Sequence, residues 1–216
     1  MRRMKLKGFV LRTALISAMI VGYLYIDEVK YMLLPKIKTV GEAESIISKG
    51  LKDGTPFASA ENIEVSVENC QIHRVVEYGS NNDDSDVSLY IETYVDLRAY
   101  KLKALWLKPV QDLAGWGILH RIAARRSFKD IVERQNRRAD EILEQTRDEI
   151  GGGIKTAVLT SERFLSEYPL KSLPAWSRRT ERTGQNWVHT DINAFSLVSS
   201  DIWKLRAAVR KLNTHC

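Results

Sequence analysis

Apolar and polar positions change period several times along the chain, and each change marks an element. Val87, Leu89, Ile91, Thr93, Val95 and Leu97 alternate with Ser88, Tyr90, Glu92, Tyr94, Asp96 and Arg98, which predicts a half-buried strand. Upstream, Ile63, Val65 and Val67 keep the same period, after which the apolar set shifts parity to Cys70, Ile72 and Val76. A shift at Glu68-Asn69 predicts a bulge or a tight turn. Stretches 62–78 and 86–98 are therefore expected to pair antiparallel across the polar loop 79–86. The run KLKALWLKPV extends as a strand to about Lys108, and a short helix is expected between Pro109 and Ala124.

Elsewhere the period is helical. Thr39-Val-Gly-Glu42 has the spacing of a capping box, and Ala43, Ile46, Ile47 and Leu51 recur behind it until Gly54. Ser127-Phe-Lys-Asp130 opens the longest helical pattern, with Phe128, Ile131, Val132, Ala139, Ile142, Leu143 and Ile150 as its stripe, and the glycines 151–153 end it. A further helix is expected over 154–167, then a loop over 169–186. Finally, Ser200 opens a terminal helix that turns Ile202, Leu205, Val209 and Leu212 inward. The fold class is α+β: a single N-terminal transmembrane helix, then a small antiparallel sheet packed with several helices, sheet-rich over 60–108 and helical over 110–216.

The transmembrane assignment rests on Gly8–Ile26, GFVLRTALISAMIVGYLYI, preceded by the basic head 1–7. Nineteen helical residues span about 28 Å, close to the hydrocarbon thickness of a bilayer. Arg12 lies one turn inside and can snorkel back to the headgroups, while Tyr23 and Tyr25 suit the opposite boundary. The bulky exit YLYI lacks the small residues a signal peptidase needs, so the segment is expected to stay as a signal-anchor. Arg2, Arg3, Lys5 and Lys7 place the N-terminus in the cytoplasm and 27–216 outside. The expected location is a cell inner membrane with a periplasmic domain. The alternatives are a cleaved or twin-arginine export signal, and, because the first acid is Asp27, the mitochondrial inner membrane.

The anchor changes how charge is read. Net charge is +6, but five of the 33 basic residues stand at or before Arg12, leaving 28 against 27 acids. Most of the basicity is a topology signal, which removes the reason to expect nucleic acid as a partner. Residues 27–100 are net acidic and 101–216 net basic, so the two halves complement each other or offer a basic face to an acidic partner. Outside the cytoplasm, Cys70 and Cys216 can bond to each other; otherwise they stay free thiols, or Cys216 bridges a second chain.

Candidate chemistry is sparse. GGGIKT, 151–156, lacks the spacing of a phosphate loop and follows a helix instead of a strand. NNDDSD lacks the glycine and distant Glu of an EF-hand, and the four histidines show no zinc spacing, so no metal or other cofactor is expected. Glu44, Asp53 and Ser59 fall at the intervals E-x8-D-x5-T, with serine in the threonine's place. In this spacing the chain resembles phage lysozymes that are exported on an uncleaved signal-anchor, which implies a cell-wall glycoside hydrolase with Glu44 and Asp53 as its carboxylates. Within 106–126, Trp106 and Trp116 mix with Arg121, Arg125 and Arg126, a combination suited to anionic lipid headgroups. No catalytic set converges, so the leading expectation is a scaffold or interaction module with a protein partner in an envelope complex, more a binder than an enzyme. In layout it resembles the small anchored α+β domains of inner-membrane secretion assemblies.

Overall fold

The computed structural model describes residues 35–54, 60–79, 89–110, 115–181, 184–190, 192 and 194–216, with the backbone alone at 61, 105–110 and 115–117. The chain divides into Met1–Lys36 and Ile37–Cys216. The run Gly8–Ile26, with Arg12, Tyr23 and Tyr25, lies outside the described residues, and among those described no helix is long and apolar enough to cross a membrane.

Ile37–Cys216 is α+β, with eight described strands in two antiparallel sheets and four described α-helices. The order is α1 (Val40–Asp53), β1 (Ala60–Glu68), β2 (Gln71–Tyr78), β3 (Leu89–Asp96), β4 (Tyr100–Val110), β5 (Gly115–Ala124), α2 (Lys129–Ile150), α3 (Ile154–Glu167), β6 (Ala175–Glu181), β7 (Asn186–His189), β8 (Ala194–Ser199) and α4 (Ile202–His215). The larger sheet runs β1-β2-β3-β6-β7 and the smaller one β4-β5-β8.

The parity shift at Glu68-Asn69 is a tight turn. Asn69 and Cys70 take φ of 51° and 64°, the left-handed pair of a two-residue hairpin, and Glu68 pairs with Gln71 across them. β1 is thereby folded back, so β2 alone pairs with β3. α1 starts where its box predicts: the Thr39 hydroxyl accepts from the Glu42 amide at 3.1 Å, while Glu42 reaches one residue past the cap and accepts from the Lys38 amide at 3.0 Å. Ala43, Ile47, Gly50 and Leu51 form its buried stripe.

The helical reading of 110–216 needs correction. Residues 115–124 form a strand, β5, in which buried Ile118, His120 and Ile122 alternate with Leu119 and exposed Arg121. Ile118, Leu119 and Ile122 fit either period, and pairing on both sides, with β4 and β8, decides it. The expected loop over 169–186 contains β6 and the first residue of β7, and β8 follows; β6 carries no apolar alternation and is held by its neighbours β3 and β7. α2 buries Val132, Gln135, Ile142 and Thr146, whereas Ile131 and Ile150 are each 48% exposed. The terminal helix is capped by Asp201, whose carboxylate accepts from the Lys204 amide at 2.9 Å, one residue after the expected Ser200.

The main core joins α1, α4 and both sheets through residues such as Ile47, Ile72, Leu97, Ile118, Leu197 and Leu212. Each such side chain contributes roughly 1.5–3 kcal/mol by leaving water. A second, smaller core lies between α2, α3 and β6, built on Ile142, Phe164 and Leu173 and edged by Trp176.

Two devices hold the main core shut. The Cys70–Cys216 disulfide ties the β1–β2 turn to the end of α4 across a separation of 146 residues. One turn earlier, Asn213 uses its side-chain amide to bond both backbone groups of Leu102 at 3.0 and 2.8 Å, while its carbonyl accepts from Arg125 at 3.0 Å. α1 approaches β8 closely enough that a Cβ on Gly54 would stand 2.1 Å from the Ser196 carbonyl oxygen, which explains why glycine ends this helix.

Candidate functional site

The two faces of the larger sheet differ. Register aligns Val65, Arg74, Thr93, Ser177 and His189 in one row across β1, β2, β3, β6 and β7. The row on one side of it is Val67, Ile72, Val95 and Ala175, part of the main core. On its other side stand Ile63, Val76, Ile91, Arg179 and Trp187. A polar strip therefore crosses a mainly apolar face, the alternation being broken at Arg74, Thr93, Ser177 and His189, with Arg179 beside it in the next row.

That strip lines a cleft of about 390 Å³, within the range of small-molecule sites, whose other wall is Ile192, Ala194 and Phe195 at β8. The Arg74 guanidinium lies over the Phe195 ring, 5.3 Å from its centroid. Burial pushes the Arg74 pKa down, opposed by the nearby Tyr78 phenol. Arg74 Nε is enclosed and finds no hydrogen-bond partner among the described residues. Thr93, buried to 2% exposure, shares a 3.4 Å hydrogen bond with the Ser177 hydroxyl. His189 Nε2 accepts from the Trp187 indole N–H at 3.0 Å, which in the neutral ring leaves the proton on Nδ1. Arg179 completes the lining, and the cleft has no carboxylate among its described lining residues.

On the outer face the same sheet is neutralised internally. His73 Nε2 meets Glu92 Oε1 at 2.8 Å, and Arg178 closes on the other Glu92 oxygen. Burial pushes the Glu92 carboxyl up, but the bonds from His73 and Arg178 outweigh it and hold the group below the usual carboxylate range. Tyr94 stacks on Trp176 at 5.8 Å, and Arg178 lies over the same indole.

The residues singled out by sequence are dispersed. Glu44 and Asp53 sit on α1 nine residues apart, about 13.5 Å along the axis and on opposite sides of the helix. That is too far and wrongly oriented for two carboxylates flanking one glycosidic bond, and Asp53 is already held by Lys49 at 2.9 Å. Ser59 lies outside the described residues. Trp106 pairs with Leu119, and Trp116 with Pro109 and Ser199, so both belong to strands and not to an amphipathic helix; their side chains lie outside the described residues. Arg121 and Arg126 are exposed, whereas Arg125 is used internally, its Nε donating to the Leu97 and Tyr100 carbonyls at 2.9 and 3.2 Å. Cys70 and Cys216 are brought together in the disulfide. Among the described residues no group of acids, cysteines and histidines is placed to hold a metal.

Sequence reading missed the cleft, although one signal was available. Arg74 lies between Ile72 and Val76 on the apolar parity of its strand, where a charge is costly without a partner. Its companions on β6 and β7 had no such pattern. No family model matches the chain, and comparison with curated proteins and solved structures likewise finds no match.

Proposed function

We propose that the protein is a single-pass membrane protein with a cytoplasmic N-terminus, and that 27–216 is an extracytoplasmic binding module serving an envelope complex. The observation that carries this reading is the Cys70–Cys216 disulfide, which joins two segments 146 residues apart. Such a bond persists in oxidising compartments and is reduced in the cytosol. The basic head, the uncharged run after Arg12 and the acidic start of the domain support the same topology. The module recognises and does not transform. The polar strip of the cleft is built of cations, hydroxyls and a histidine whose Nε2 is engaged by Trp187, and the carboxylates of α1 are separated.

Thiol alkylation in intact cells before and after reduction, with protease treatment of spheroplasts, tests the reading. We expect the domain to be digestible from outside and both cysteines to resist alkylation until reduced. Alkylation of both cysteines without reduction, with the domain protected from protease, would refute it.

A further inference from the structure

Among the described residues, the polar strip on the inner face has no carboxylate in the cleft to neutralise its arginines. Several arginines of the described residues are matched: Arg98 to Asp96, Arg138 to Glu167 and Glu141, Arg163 to Glu149, Arg178 to Glu92, and Arg125 to backbone carbonyls. Arg74 and Arg179 are the two arginines that line the cleft. Neither has an ion pair with a described carboxylate, although Arg179 directly follows Arg178 on β6. Glu64, Glu77 and Glu92 of β1, β2 and β3 stand on the opposite parity and serve the outer face. A half-buried guanidinium with an enclosed, unbonded Nε is destabilising unless a counter-charge supplies the missing acceptor.

We propose that the cleft binds a small molecule through an oxyanion group, a phosphate or a carboxylate, held between the guanidinium forks of Arg74 and Arg179 over the hydroxyls of Thr93 and Ser177. A planar fork matches two oxygens of either group, and the hydroxyls supply further donors. Phe195 and Ile192 give the non-ionic part of the ligand an apolar wall. Phe195 also fixes the plane of the Arg74 guanidinium from one side, so little rotamer freedom remains to be lost on binding. A volume of about 390 Å³ admits a ligand of metabolite size. The inference stands on the cleft and holds whichever compartment contains the domain.

Calorimetric titration of the full-length, detergent-solubilised chain in chloride buffer tests it, with inorganic phosphate in one arm and succinate in the other. At least one anion should bind saturably at one site, and the tighter arm identifies the group. Arg74→Met and Arg179→Gln should each raise Kd by about tenfold or more, while Arg178→Gln, on the outer face, should leave it within about twofold. Arg74→Lys keeps the charge without the fork and should fall between. Arg179 is exposed, so its substitution also guards against a result that merely reports misfolding. Absence of saturable binding in both arms, binding that survives both cleft substitutions, or equal loss in Arg178→Gln would overturn the proposal.

Discussion

Arg178 and Arg179 are neighbours on β6 and face opposite sides of one sheet, yet they meet opposite circumstances. Arg178 closes a triad with Glu92 and His73, whereas Arg179 shares with Arg74 a cleft that has no described carboxylate. The difference follows from parity: Glu64, Glu77 and Glu92 stand on the outer side, so the described lining of the inner cleft keeps cations, hydroxyls and apolar groups. A face whose charges are satisfied within the fold contributes to stability, and a face left with unmatched cations stores binding capacity at some cost in stability. The inner face also needs a cover, which the smaller sheet, α1 and α4 provide.

The comparison is broken most severely by removing what holds that cover. Cys70→Ser or Cys216→Ser should destabilise the domain by about 5 kcal/mol in the chain-entropy model for a loop of this length, read as the shift in urea midpoint between variant and oxidised parent. Acidification should act next. His120 pairs in register with Phe195, the floor beneath Arg74, and burial lowers its pKa from 6.5 to about 4, with the Arg206 charge adding to the fall. A base depressed in the folded state leaves the unfolded chain holding more protons between those values. Stability is therefore full above about pH 6.5 and declines by roughly 3 kcal/mol as pH falls to about 4. Unfolding measured across that window should show the slope in the parent and lose most of it in His120→Asn.

Gly54→Ala should lift α1 from β8, because the added Cβ meets backbone and not a flexible side chain, with a loss of about 1–3 kcal/mol visible in thermal melts. The smallest effect is expected on the satisfied face. Glu92→Gln removes the shared acceptor of His73 and Arg178, but all three groups are partly in water, so about 1 kcal/mol or less should be lost in urea unfolding.

Much of this frame is legible in the sequence and the rest is not, for reasons that particular residues make plain. α1 and β3 show themselves because a single face of each is apolar: Ala43, Ile47 and Leu51 recur at helical spacing, and Ile91 and Val95 at strand spacing. β5 is ambiguous because Ile118, Leu119 and Ile122 satisfy both periods. β6 is invisible because Arg178 and Thr180 on its outer parity and Ser177 and Arg179 on its inner parity are all polar, and its strand character comes from β3 and β7. The cleft joins residues from positions 74 to 195, so only the tertiary pairing assembles it. Arg74 was the one member with a local signature, a charge in the middle of the apolar parity of β2.

Stability without oxyanions tests most directly whether Arg74, which has no carboxylate partner among the described residues, carries an unmatched charge. Urea unfolding of the full-length chain, followed by tryptophan fluorescence in chloride buffer, would compare the parent with Arg74→Met. The variant should be at least as stable as the parent, within about 0.5 kcal/mol, because the removed charge has no carboxylate acceptor among the described residues. A loss above about 1.5 kcal/mol would contradict it, since it would mean that Arg74 is already satisfied from within.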